Sequence, residues 1–186
     1  MPISLILIGP PGGGKGTQAE LLQERLHLKH ISTGDIFRAE IEKGTDLGLE
    51  AQRYIKSGNL VPDEITIKMV RSRLDSEDAK KYGFILDGFP RTKRQAIALD
   101  KVLEEIGIKL DGVIALEIPE QVVVDRLLAR GRQDDMSETI IHRLDVFARQ
   151  TEPVIRHYSE LGCFHKVDGN QPVEDVYAGI LKAIKR

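Results

Sequence analysis

The stretch Gly9-Pro10-Pro11-Gly12-Gly13-Gly14-Lys15-Gly16-Thr17 constrains the fold of this chain more than any other. It follows an apolar run, Ile3 to Ile8, that reads as a buried strand. It precedes residues 18–28, where Ala19, Leu22 and Leu26 recur at helical spacing. A strand, a glycine-rich turn and a helix form the context of a phosphate-binding loop. Glycines let successive main-chain N–H groups turn inward around an anion, where side chains would clash. The first helical turn adds unpaired N–H groups and the positive end of its dipole. Lys15 is then positioned to reach the β- and γ-phosphates of a nucleotide. The usual pattern has a hydroxyl residue directly after the lysine; here Gly16 stands there and Thr17 follows.

The rest of the chain alternates short apolar runs with helical patterns. A second strand is expected near His30 to Ser32, and Ser32-Thr33-Gly34-Asp35 starts a helix that Gly44 ends. Residues 47–57 read as another helix, closed by Gly58, and Asp63 reads as the N-cap of the next. A simple crossover needs one helix, so the surplus reads as an inserted helical subdomain over residues 33–75. Phe84-Ile85-Leu86 is the third strand and Val113-Ile114-Ala115-Leu116 lies in the fourth. Helices are expected over residues 92–106, from Pro119 onward, and from about Ser137 to Tyr158, the last kinked or divided at Pro153. Residues 163–167 make the fifth strand and residues 173–184 the closing helix. This order predicts an α/β fold with a parallel sheet covered on both faces.

Composition narrows the classes. The 186 residues suffice for one compact domain, and a formal net charge of −2 gives no broad basic field for nucleic acid. The single cysteine, Cys163, excludes an internal disulfide and reads as a small buried side chain. No run reaches membrane-spanning length and no basic presequence precedes the first strand, so no membrane partner and a cytoplasmic location are expected.

The candidate chemistry collects at loop positions. Asp87 ends an apolar strand, where ligands of open α/β sheets gather, and a carboxylate facing the phosphate loop can hold magnesium or its waters. Arg91 and Arg38 offer planar forks for phosphate oxygens, although either one alone is compatible with a solvated surface. Arg126 and Arg130 are four residues apart and share a helix face; Arg132 lies in a short polar link and Arg143 on the next helix. Together these guanidiniums can surround a transferring phosphoryl group, with Asp134 and Asp135 as tethers. The alternative for this cluster is a mixed-charge helix surface. His27, His30, His142, His157 and His165 form no Cys/His cluster and read as structural or surface residues. The phosphate loop alone is also compatible with a nucleotide-dependent switch.

With these residues in order, the chain resembles the adenylate kinases of the nucleoside monophosphate kinase family over essentially its whole length. The loop from Gly9 to Thr17 is similar to that family's loop, which accepts glycine after the lysine and commonly has alanine where Gly13 stands. The order Thr33-Gly34-Asp35-Ile36-Phe37-Arg38, then Gly58-Asn59-Leu60-Val61-Pro62, then Asp87-Gly88-Phe89-Pro90-Arg91 matches as well.

The resemblance implies a P-loop nucleoside triphosphate hydrolase-like three-layer sandwich with a five-stranded parallel sheet, a helical AMP-binding insertion and a short lid. The core is expected over 1–32, 76–129 and 138–186, the insertion over 33–75 and the lid over 130–137. It implies reversible transfer from MgATP to AMP, giving two ADP, with ATP, AMP and ADP as partners and a monomer as the working form. Gly12, Gly13, Gly14, Lys15, Gly16 and Thr17 would hold ATP phosphates. Arg126, which would also pack on the ATP adenine, and Arg130 would join them, and Gln171, in the run Val167-Asp168-Gly169-Asn170-Gln171-Pro172, would lie in the loop beside the ATP base, contacting it mainly through the backbone. Thr33, Gly34, Arg38, Val61, Gly88, Arg91 and Gln95 would form the AMP site, with Gln95 reading the adenine edge. Lys15, Arg91, Arg126, Arg130, Arg132 and Arg143 would act on the phosphoryl group, Arg132 and Arg143 also touching substrate. Thr17 and Asp87 would hold Mg²⁺ through water. The long metal-binding lid of many bacterial relatives is missing, so zinc is not expected. Uridylate–cytidylate kinase is the alternative; those relatives typically have asparagine where Thr92 stands, and Thr33 with Gln95 favours AMP.

Overall fold

The computed structural model describes residues 2–132 and 134–185. Five strands, β1 (Ile3–Ile8), β2 (Lys29–Ser32), β3 (Gly83–Asp87), β4 (Gly112–Glu117) and β5 (Phe164–Asp168), form one parallel sheet in the order β2-β3-β1-β4-β5. Successive side chains of a strand point to opposite faces, and both faces here are apolar. From β1, Ile3, Leu5 and Leu7 join Ala19 and Leu22 of α1 (Lys15–Leu26) and Val176, Tyr177 and Ile180 of α10 (Val173–Ala183). Ile6 and Ile8 face the other way, with Phe84, Leu86 and Val113. That second layer is closed by α4 (Asp63–Leu74), α5 (Glu77–Tyr82), α6 (Lys93–Glu105) and α9 (Glu152–Ser159). Each large aliphatic side chain removed from water in these layers contributes about 1.5–3 kcal/mol.

The sheet order sets the position of the cleft. β3 lies between β2 and β1, and its last residue, Asp87, pairs with Leu7 of β1. The connections after β1 and β3 leave on diverging paths, the switch point at which α/β folds bind ligands.

Between β2 and β3 run α2 (Thr33–Lys43), α3 (Asp46–Lys56), α4 and α5. Ser32 caps α2 by accepting from the Asp35 N–H, and Thr45 caps α3 by accepting from the Gly48 N–H. Gly58 follows α3 with φ 74°; its N–H reaches Ile55 O and the Asn59 N–H reaches Tyr54 O, the paired bonds of a Schellman ending. Phe37, Ala51 and Val61 give these helices their own small core.

Several boundaries differ from the sequence expectation. Helix α1 starts at Lys15 and stops at Leu26, where His27 takes a left-handed φ of 58°. Asp63 is the first residue of α4 behind Pro62 and makes no cap hydrogen bond; its carboxylate is engaged elsewhere. Helix α5 has no counterpart in the sequence expectation. The long helix over 137–158 is two helices, α8 (Ser137–Val146) and α9, after α7 (Glu120–Arg130). The division falls at a wide turn, Phe147–Thr151, ahead of Pro153, with the Glu152 N–H reaching back to Phe147 O. Proline tolerates the first turn of a helix, so the wider turn precedes it. Cys163 stands just before β5, half-buried against the core, and burial pushes its thiol pKa up.

Candidate active site

One cleft of about 570 Å³ opens at the carboxyl ends of β1 and β3. That volume suits a small-molecule ligand. Every binding or catalytic residue expected from the sequence lines it, while Asp135, expected as a tether, lies behind the lining. Gly12, Gly13, Gly14, Lys15, Gly16 and Thr17 line it together with Thr33, Gly34, Arg38, Val61, Gly88, Arg91 and Gln95, and with Arg126, Arg130, Arg132, Arg143 and Gln171.

The loop has the backbone its glycines predict. Gly12 and Gly14 have φ of 76° and 84°, which only glycine adopts readily. Gly14 precedes α1 without a side-chain cap, leaving the first N–H groups of α1 for a ligand. Lys15 Nζ donates to Gly9 O and Pro10 O, both at 2.9 Å. Burial pushes its pKa down to about 8; Asp87 opposes that shift, while Arg91, Arg143 and Arg130 add to it.

Asp87 lies beside this loop. Its Oδ2 is 3.9 Å from where a Cβ on Gly16 would stand and 3.3 Å from His30 Nε2. Burial alone would raise the Asp87 carboxyl pKa; the His30 hydrogen bond, with Lys15 and Arg91, outweighs it and holds the value below the usual carboxylate range. One carboxylate with the nearby Thr17 hydroxyl is a hard oxygen set. It suits a cation that keeps several waters and takes phosphate oxygens, as Mg²⁺ does. Among the described residues no group of three or more His, Cys, Asp or Glu is arranged to hold a metal by itself.

The part of the cleft around Thr33 and Arg91 is built on main-chain anchors. Thr33 Oγ1 donates to Gly88 O at 2.9 Å and Arg91 Nε donates to the same oxygen at 2.8 Å. Thr151 Oγ1, in the wide turn before α9, donates to Arg91 O at 2.9 Å. Arg38 pairs with Asp35 one turn earlier. Gln95 is 2% exposed, with both ends of its amide already partnered.

Asp135 organises three of the arginines. Its fully buried carboxylate receives Arg130 Nε at 2.8 Å and a second Arg130 nitrogen at 2.7 Å. Arg143 donates at 2.8 Å and the Arg132 N–H at 3.1 Å. Asp134 pairs with Arg143 at 3.0 Å. Arg126 donates to Gly169 O at 3.3 Å, joining α7 to the loop after β5. Gln171 is exposed and donates to Asp168 at 3.0 Å. Lys15, Arg38, Arg91, Arg126, Arg130, Arg132 and Arg143 outnumber Glu20, Asp35, Asp87 and Asp134 in the cleft lining. Such a field favours a polyanion. Burial, chiefly, depresses the pKa of Arg91 and of Arg132.

Asp63, His30 and Thr151 support these residues without any motif to mark them. His30 reaches Asp87 because β2 pairs with β3, and Thr151 reaches Arg91 because of the turn before α9. Neither proximity leaves a local sequence signal.

Comparisons with known proteins agree with this geometry. Residues 7–163 match the family model for adenylate kinase. The adenylate kinase of Corynebacterium aurimucosum is 53% identical over 96% of this chain and 97% of its own length. That of Corynebacterium diphtheriae is 52% identical over 97% and 98%. That of Nocardia farcinica is 49% identical over 98% and 99%.

Proposed function

The chain belongs to the adenylate kinase family, a family of ATP:AMP phosphotransferases, and from that premise we propose how its residues carry out the transfer. It converts ATP and AMP reversibly to two ADP. The observation that carries this reading is one cleft lined by the phosphate loop, the Arg38 and Arg91 pair, and the arginines anchored by Asp135. A switch protein needs the first of these alone.

The donor triphosphate lies on the N–H groups of residues 12–17, with Lys15 released from Gly9 and Pro10 to its β- and γ-oxygens. Arg126 and the loop at Gly169 to Gln171 flank the donor base. Thr33, Gly34, Val61, Gly88 and Gln95 surround the acceptor nucleoside, and Arg38 and Arg91 hold its phosphate. An oxygen of that phosphate attacks the γ-phosphorus in line; a new P–O bond forms as the bond to the β,γ-bridging oxygen breaks, and ADP leaves. The attacking oxygen is already anionic, so no proton needs to be removed. Arg91, Arg130, Arg132 and Arg143 neutralise charge spread over the equatorial oxygens. Asp87 and Thr17 would hold Mg²⁺ through water, and the ion when bound supplies neutralisation of the β- and γ-phosphates. Closure of a lid over 130–137 and of the insertion over 33–75 excludes water and suppresses ATP hydrolysis. The protein acts as a monomer in the cytoplasm; no helix among the described residues is long and apolar enough to cross a membrane.

Acceptor identity is tested by comparing AMP, CMP, UMP and GMP at equal concentration with MgATP. AMP is expected to be used best. A preference for CMP or UMP selects the uridylate–cytidylate kinase alternative instead.

A further inference from the structure

Gln95 stands at the start of α6 with its side chain almost wholly buried against the cleft. Its Oε1 accepts from the Arg91 main-chain N–H at 2.8 Å, and its Nε2 donates to Asp63 Oδ1 at 2.8 Å. A main-chain N–H can only donate and a carboxylate can only accept. The two partners therefore identify which end of the amide is oxygen and which is nitrogen. Each end keeps one further position, a second lone pair on Oε1 and a second N–H on Nε2.

Asp63 is itself held in place. Thr92 Oγ1 lies 3.1 Å from both Asp63 oxygens, and the same hydroxyl accepts from the Gln95 N–H at 3.1 Å. The carboxylate comes from α4 in the helical insertion, and Thr92 caps α6 against the sheet. The bonds thus run from Asp63 to Thr92 to Gln95 and back, across the boundary between the insertion and the core.

We propose that Asp63 is a positioning residue that fixes the hydrogen-bonding polarity of Gln95 and so makes the acceptor site select 6-aminopurine over 6-oxopurine nucleotides. The proposal rests on the reading that Gln95 meets the acceptor base. A 6-aminopurine presents a ring-nitrogen acceptor beside an amino donor; a 6-oxopurine presents an N–H donor beside a carbonyl acceptor. A glutamine free to turn over about its last torsion could serve either edge. With Asp63 in place, the turned amide would set Oε1 against a carboxylate and strip the Arg91 N–H of its acceptor. Only one polarity remains available.

The test measures kcat and KM for AMP and for inosine monophosphate, with MgATP, on the full chain and on Asp63→Asn, Asp63→Glu, Asp63→Ser and Gln95→Ala, with an unfolding midpoint for each. An asparagine side chain can present either an oxygen or an NH₂ group, so Asp63→Asn is expected to raise KM for AMP and lower the AMP-to-inosine-monophosphate preference about tenfold. KM for ATP stays unchanged, and Asp63→Glu restores the preference. Asp63→Ser keeps a residue suited to a helix start but removes the carboxylate, and is expected to lower the preference to a similar extent, the Arg91 N–H alone then favouring the native polarity. A wild-type preference in both Asp63→Asn and Asp63→Ser, whatever happens to the unfolding midpoint, overturns the proposal and leaves Asp63 as a structural tie. Gln95→Ala separates the two levels. If it loses the preference while the Asp63 variants keep it, the positioning role alone is wrong. If it keeps the preference, the reading of Gln95 is wrong.

Discussion

The Lys15 ammonium donates to Gly9 O at 2.9 Å, so the lysine at the head of α1 is folded back onto the start of its own loop. Burial pushes its pKa down to about 8. The folded value lies below the ordinary one, so between about pH 8 and 10.5 the unfolded chain binds the proton more tightly than the native protein. Burying the charged lysine therefore weakens the empty protein most at and below pH 8. Nucleotide phosphates reverse the balance by favouring the ammonium. ATP binding near pH 8.5 is expected to take up protons, seen as a binding heat that depends on the buffer's ionisation enthalpy. Lys15→Met abolishes that dependence; a wild-type heat independent of buffer contradicts it.

Asp87 is held ionised by His30 and Lys15 against the pull of burial. Replacing it by asparagine removes the charge that the proposed magnesium waters require. Asp87→Asn is expected to shift the Mg²⁺ dependence of activity upward by roughly 10–100-fold. An unchanged magnesium midpoint in a folded Asp87→Asn protein rules out this role.

Asp135 is enclosed by Arg130 and Arg143 with no exposed side-chain surface. Burial would raise its carboxyl pKa, but the Arg130 hydrogen bond and the Arg132 N–H bring it below the usual value. Its stabilising contribution is whole above about pH 4 and is lost as pH falls through the lower folded value. Asp135→Ala is expected to lose about 2–3 kcal/mol near neutral pH. The gap from wild type narrows on acidification. Denaturant titrations at several pH values check this, and a gap that widens toward acid refutes it.

Gly83 opens β3 with φ 82° and ψ 178°, a region open essentially to glycine alone. A Cβ there would lie 2.2 Å from Ile3 O on the neighbouring strand. Gly83→Ala is expected to destabilise by about 3 kcal/mol or more, lowering the thermal midpoint by roughly 6–12 °C. A midpoint within about 2 °C of wild type (roughly half a kcal/mol) contradicts the strand geometry.

The legible parts of this molecule were those with a local cause. The glycines of the phosphate loop, the helix start at Ser32 and the apolar strand runs each act within a few residues, so their spacing announces them. The arginines were legible by type, since Arg126 and Arg130 share a helix face before any tertiary structure is known. Asp63 looked like a helix cap because that is the commonest use of aspartate after Pro62; its actual partners lie 29 and 32 residues away. The contact between His30 and Asp87 depends on β3 lying beside β2, which a list of strands does not specify. Pro153 marked a break in the right region, but the backbone widens before it because the proline can serve as part of a new first turn.

In the proposed mechanism one cleft holds two nucleotides and passes a phosphoryl group between them. Phosphorus NMR of the protein with MgATP and AMP measures this directly. Loss of one ATP and one AMP for every two ADP formed, with no inorganic phosphate and no reaction in the Lys15→Met protein, is the result expected. Release of inorganic phosphate with AMP unchanged, or ADP formation equal to the Lys15→Met control, would contradict it.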